Sequence, residues 1–178
     1  MKNKALVVID MQEDFVNGSL GSEMAQEIVP VVRKKLREYL KEGNPVYLTL
    51  DTHQEDYLQT LEGVHLPVAH CIKGTAGHDL VAELAQELEG YTAGVDYTIL
   101  EKETFGSKQL AETLQEEEVV LVGLCTDICV VSNALLLKAY NPEREIYVLA
   151  KGCAGVTKES HEAALLTMQS CQIQMIGA

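Results

Sequence analysis

Val119-Val120-Leu121-Val122-Gly123-Leu124-Cys125-Thr126-Asp127-Ile128-Cys129-Val130 holds two patterns in succession. Its first half is a continuous apolar, β-branched run, as expected of a strand buried on both faces. Its second half turns polar at Thr126-Asp127 and leads into a helical pattern from about Asp127 to Tyr140, closed by Asn141-Pro142. A buried strand feeding a helix is the repeating unit of a parallel α/β sheet.

The same unit recurs on both sides. Ala5–Ile9, Val46–Leu50, Tyr97–Leu100 and Ile146–Ala150 read as further strands, and Ile173–Ile176 as a last edge strand. Ala25, Ile28, Val32, Leu36 and Leu40 mark the inward face of a helix stopped by Gly43. A second helix runs through Leu80, Val81, Leu84, Ala85 and Leu88 to about Gly90. Ser107 caps a short one through Leu110, Ala111 and Leu114, and another begins near Thr157 or Lys158 after a glycine-containing loop. The expectation is one domain over residues 1–178, an open, mostly parallel six-stranded sheet with helices on both faces. Glu116-Glu117-Glu118 reads as a solvated helix end or turn.

Composition narrows the function classes. The chain has 178 residues, of which 47% are hydrophobic and 23% charged, an ordinary globular balance. A net charge of −13 disfavours nucleic acid and anionic membranes as partners but leaves a small-molecule substrate open. The run after Met1-Lys2-Asn3-Lys4 is too short for a signal-peptide core, and no stretch reaches membrane-helix length. Five cysteines without CxxC spacing fit a reduced, cytoplasmic protein, with Cys153 and Cys171 as packing residues.

Polar residues then stand out at the strand ends. Asp10 follows the first strand, Asp51 and His53 the second, Lys102 the third, and Cys125 and Cys129 the fourth. Parallel crossovers bring these ends to one edge of the sheet, where such folds place their sites. With Thr126 or Asp127 capping the helix, Cys129 lies near its positive end, which favours thiolate. A carboxylate to accept the thiol proton and an ammonium to stabilise the charge make Asp10 and Lys102 meaningful beside it. Each residue also has a plainer reading: Asp10 as a turn former, Cys129 as a packing residue. Asp51, His53 and a distant histidine offer O,N,N ligation to zinc or another borderline divalent ion. The alternative is loop histidines bonded to backbone.

The chain resembles the isochorismatase-like cysteine hydrolases, and within them the nicotinamidase/pyrazinamidase branch. The resemblance rests on Val7 through Phe15, on Asp51-Thr52-His53, on Leu66 through Gly77, on Lys102 before Phe105, and on Gly123 through Val130. It implies a Rossmann-like, isochorismatase-type sheet with Asp10, Lys102 and Cys129 as the catalytic triad. It also implies an oxyanion hole of backbone N–H groups around Cys125 and Cys129, with a non-proline cis peptide at Leu124–Cys125. Asp51, His53 and His70 fall on the metal-ligand positions, and Glu62 at the outer edge, often through water; His65 is a loop or more distant residue. The metal so implied is zinc first, with manganese or iron as alternatives, and no organic cofactor.

The same resemblance makes Phe15, Phe105, Ile128 and Leu66 pocket residues. Here the sequence departs from the family, which commonly places a Trp near Leu66 and an aromatic residue where Ile128 stands. Cys125 replaces a small Ala. The implied activity is conversion of a small aromatic carboxamide, nicotinamide first, to the acid and ammonia through a cysteine thioester. Alternatives are another small amide or ureido substrate and a non-catalytic α/β binding protein. A homo-oligomer is compatible with all three.

Overall fold

The computed structural model describes residues 3–177, so Met1, Lys2 and Ala178 lie outside it. In chain order the elements are β1 (Lys4–Ile9), α1 (Glu13–Val16), α2 (Glu23–Lys41), β2 (Val46–Asp51), α3 (Leu61–His65), α4 (Ala82–Glu87) and β3 (Tyr97–Lys102). These are followed by α5 (Lys108–Thr113), β4 (Glu118–Leu124), a π-helical turn (Thr126–Val130), α6 (Val131–Tyr140), β5 (Glu145–Ala154), α7 (Lys158–Ser170) and β6 (Gln174–Ile176). The strands form one sheet in the order β3-β2-β1-β4-β5-β6. Every neighbouring pair is parallel.

Strand alternation sorts the core into two layers. Leu6 and Val8 pack with Val32, Leu36 and Leu84 of α2 and α4, while Ala5, Val7 and Ile9 pack with Leu110, Ala134, Leu137 and Met168 of α5, α6 and α7. Helices therefore cover both faces, and β1 and β4 are buried throughout most of their length. The chain leaves β1 toward β2 on one side and returns across it to β4 on the other. That reversal of strand order opens a crevice at the carboxyl ends of β1 and β4.

Four local expectations are corrected. β5 continues to Ala154 instead of yielding to a loop after Ala150, because its pairing with β4 skips at a bulge and resumes at Gly123↔Cys153. The second helix spans only Ala82–Glu87, since the Val81 N–H donates to the Met11 carbonyl and Leu80 bridges to Gln12. Glu116 is buried: its carboxylate accepts the Tyr47 hydroxyl, and Arg144 Nε donates to its carbonyl at 2.9 Å. Cys171, expected as a packing residue, is exposed just after α7.

Gly123 shows how closely β1 and β4 approach at the crevice. Its φ of +120° and its position against Ile9 leave no space for a side chain, and an added Cβ would overlap the Ile9 carbonyl oxygen. Gly123→Ala should lower the unfolding free energy by about 3 kcal/mol or more, strain and overlap acting together. A urea midpoint equal to that of the parent would show that the strands can part at no cost.

Candidate active site

Asp10, Lys102 and Cys129 meet in the crevice, brought from the ends of β1 and β3 and from the turn after β4. Lys102 Nζ lies 2.7 Å from Asp10 Oδ2, 3.5 Å from Cys129 Sγ and 3.2 Å from Asp51 Oδ1. All four side chains are at most 6% exposed. Asp10 adopts φ +48°, a conformation that an aspartate tolerates better than most residues. Thr49 fixes it from β2: the Asp10 N–H donates to the Thr49 carbonyl, and Thr49 Oγ1 donates to Asp10 Oδ1 at 2.7 Å.

Burial sets the protonation of this group. It raises the Asp10 carboxyl above the ordinary range against the opposing pull of Lys102, and Asp51 raises it further. Burial also works against the Lys102 ammonium, but Asp10, Cys129 and Asp51 outweigh it and hold the proton more tightly than in water. The Cys129 thiol is pushed well above its usual value by burial and by Asp10, while Lys102 draws it down. Burial and Asp10 thus favour the thiol form of Cys129, and Lys102 favours the thiolate.

The turn that carries Cys129 also differs from expectation. The Leu124–Cys125 peptide is cis. The next turn is π-helical, and neither Thr126 nor Asp127 caps it. Thr126 Oγ1 lies 2.8 Å from His161 Nδ1, and the Asp127 carboxylate accepts the Val156 N–H at 3.1 Å. Both side chains are thus drawn toward the β5–α7 connection. The far end is held within the chain's own helix: Ser132 Oγ donates to the Ile128 carbonyl and Asn133 Nδ2 to the Cys129 carbonyl. Burial lifts the Cys125 thiol to about 12.

Beside this centre, Asp51, His53, Glu62 and His70 place four potential ligand atoms within 4.8 Å of one another. His53 Nε2 lies 2.9 Å from Asp51 Oδ2, and His70 Nε2 lies 3.5 Å from the same oxygen. Glu62 Oε1 stands 3.6 Å from His53 Nε2 and 3.8 Å from His70 Nε2. His70 Nδ1 donates to the Val68 carbonyl at 2.8 Å, which directs Nε2 to the cluster. Tyr57 packs against both imidazoles, with ring centroids at 4.6 and 4.9 Å. Two carboxylates and two imidazoles converging in a mostly buried recess fit a borderline divalent cation by donor chemistry. His65 is exposed and outside the group.

A cavity of about 310 Å³ opens between the two clusters. Phe15, Leu66, Phe105 and Ile128, the four residues expected to wall a pocket, line it with Cys125, Cys129, Asp51, Glu62 and His70. Several residues that shape the site carry no role in the sequence reading. Gln12 is fully buried, its amide donating to the Asp51 and His78 carbonyls while its oxygen accepts the Asp51 N–H. Asp14 accepts the Cys71 N–H, and Tyr57 donates to the Leu66 carbonyl behind the pocket wall. A polar side chain in an apolar strand, as at Thr49, is the signal that could have found such residues.

The fold and the site define an α/β protein with a buried thiol–carboxylate–ammonium centre next to a cluster of two carboxylates and two imidazoles. Residues 4–178 match the isochorismatase domain model, and the chain belongs to that family, on its nicotinamidase branch. It is 33% identical over 171 residues to the uncharacterized isochorismatase family protein PncA of Bacillus subtilis, covering 91% of this chain and 92% of that one. The crystal structure of the nicotinamidase/pyrazinamidase PncA from Bacillus subtilis superposes with a TM-score of 0.86 at 31% identity, covering 98% and 99% of the two chains. The Pyrococcus horikoshii pyrazinamidase, solved in complex with zinc, gives 0.84 at 27% identity with 99% of each chain covered.

Thr49→Val keeps the shape of the side chain and removes the donor to Asp10. Leaving that buried carboxylate oxygen short of a partner should lower stability by about 1–3 kcal/mol in urea unfolding. An unchanged midpoint would mean that the hydroxyl is not needed there.

Proposed function

We propose that this chain hydrolyses the carboxamide of a small nitrogen heteroaromatic, nicotinamide first, to the carboxylic acid and ammonia through a thioester on Cys129. The chain is an amidohydrolase. The observation that carries the reading is the double contact of Lys102 with Asp10 and Cys129, set beside the cluster of Asp51, His53, Glu62 and His70. A non-catalytic binding protein has no use for a buried ammonium shared by a carboxylate and a thiol.

Asp10 takes the Cys129 proton, and Lys102 offsets the charge of the pair as the thiolate attacks the amide carbon. Backbone N–H groups at Cys125 and Cys129 hold the oxyanion. Asp10 returns the proton to the departing nitrogen, the C–N bond breaks, and ammonia leaves a thioester. Water then adds to the thioester carbon, giving its proton to Asp10, and the C–S bond breaks to release the acid. Proton and thiol are thereby restored. Phe15 and Phe105 flank the ring, and Leu66 and Ile128 close the wall. Zinc, manganese or iron would be held by Asp51, His53 and His70 with Glu62. When bound, the cation supplies a Lewis acid that orients a ring nitrogen. The aliphatic Leu66 and Ile128 favour a second substrate class, small non-aromatic or ureido amides, within the same chemistry.

An ammonia-release panel of nicotinamide, pyrazinamide, aliphatic amides and ureido compounds separates these readings. Turnover of the first two supports the proposal, and turnover confined to the others would replace the substrate while leaving the thioester. Cys129→Ala should lose at least about 10³-fold in kcat and show no adduct by mass spectrometry, whereas Cys125→Ala should stay within about tenfold. Retained turnover without the Cys129 thiol would end the assignment.

A chelator-free preparation should carry a divalent metal that the His53→Ala/His70→Ala double variant lacks. Elemental analysis reads this directly, and equal metal in both samples would remove the site.

A further inference from the structure

Two side chains at the near end of the thiol turn point away from it, and both end on the segment that joins β5 to α7. Thr126 is fully buried, and its hydroxyl shares a 2.8 Å hydrogen bond with His161 Nδ1. Asp127 holds the Val156 N–H. His161 is in the first turn of α7, a helix whose start is fixed by a capping box between Thr157 and Ser160. Gly155 packs directly on it: an added Cβ there would come within 3.0 Å of the His161 backbone. Gly155 and Val156 also line the catalytic cavity. The histidine thus joins a rigid helix end, the cavity wall and the turn bearing Cys125 and Cys129.

We propose that His161 is a positioning residue, which through the Thr126 hydroxyl sets the turn that presents Cys129 to Lys102 and the Cys125 and Cys129 amides to the substrate. This rests on the reading of Cys129 as nucleophile. The π-helical turn has no side-chain cap, so its near end depends on partners outside it. A buried hydroxyl deprived of its partner pulls the turn toward a new one. A displacement on the order of 1 Å at the thiol or the amides costs up to about two orders of magnitude in rate. Substrate binding rests mainly on the ring walls and the metal-ligand cluster, so the loss falls on kcat.

The test compares His161→Ala with His161→Asn, whose amide reaches toward the Nδ1 position, and isosteric Thr126→Val with Thr126→Ser. Steady-state ammonia release from nicotinamide, or from the best substrate of the panel, gives kcat and KM. Iodoacetamide alkylation of Cys129, located by mass spectrometry, reports the thiol without turnover. His161→Ala and Thr126→Val should each lower kcat at least about tenfold with KM within about threefold, and His161→Asn and Thr126→Ser should recover most of it. Alkylation should slow in the first pair, because a displaced thiol loses Lys102, and recover in the second. The double variant His161→Ala/Thr126→Val should be no slower than the slower single, since both cut one linkage.

Parent-like kcat and alkylation in folded His161→Ala would overturn the proposal, as would losses that multiply in the double variant. If His161→Ala does not fold, the Thr126 pair decides by the same criteria. Turnover retained by Cys129→Ala would instead overturn the nucleophile reading, and the alkylation series would still judge the position of the thiol.

Discussion

The Lys102 ammonium is the constraint on which the site depends. A charge this deeply buried is tolerable only with partners around it. Here Asp10, Asp51 and Cys129 surround it, each from a different segment of the chain. The two carboxylates need the cation as much as it needs them, because burial acts against all three charges. Asp51 gains most from the exchange: burial raises its carboxyl, but hydrogen bonds from His53 and His70 and the charge of Lys102 hold it well below the usual carboxylate range. One ammonium thereby joins the thiol centre to the cluster of Asp51, His53, Glu62 and His70.

Regular structure ends where this chemistry begins, and the transition is made by backbone conformations that strands do not use. Asp10 and Cys71 both lie near φ +48°, and Gly123 at +120°. Nearby groups satisfy the backbone amides around these positions: the Gln12 side chain accepts the Asp51 N–H, the Asp14 carboxylate accepts the Cys71 N–H, and the main-chain carbonyl of Thr49 accepts the Asp10 N–H. Residues outside the candidate site therefore fix those within it, which is the usual cost of holding strained backbone at a site.

This division explains what the sequence makes legible. The strands are readable because burial on both faces forces apolar, β-branched runs, and the site residues are readable because they are the polar residues that interrupt those runs. Thr126 and Asp127 mislead because a cap and a tertiary bond use the same side chains; only the position of α7 decides between them. Glu116 misleads because nothing local announces Tyr47 and Arg144, which lie 69 and 28 residues away. The extra length of β5 is hidden for a related reason. Gly152 reads as a loop residue, and the pairing that resumes beyond the bulge is set by β4.

β3 shows charge performing a task usually left to hydrophobic pattern. It is an edge strand, with Ile99 and Glu101 exposed and Leu100 and Lys102 buried. One buried leucine is a thin basis for register, and exposed edges are where slips are easiest. A slip of one residue would turn Lys102 out to solvent and bring Glu101 in against Asp10 and Asp51, placing three carboxylates together in the crevice. In the observed register Asp51 pairs with Lys102, the Thr52 N–H donates to the Lys102 carbonyl, and Glu101 meets Lys73 at the surface. The electrostatic penalty of the alternative far exceeds what burial of one apolar side chain contributes. The charged residues of the candidate site therefore also fix the alignment of the strand that delivers Lys102.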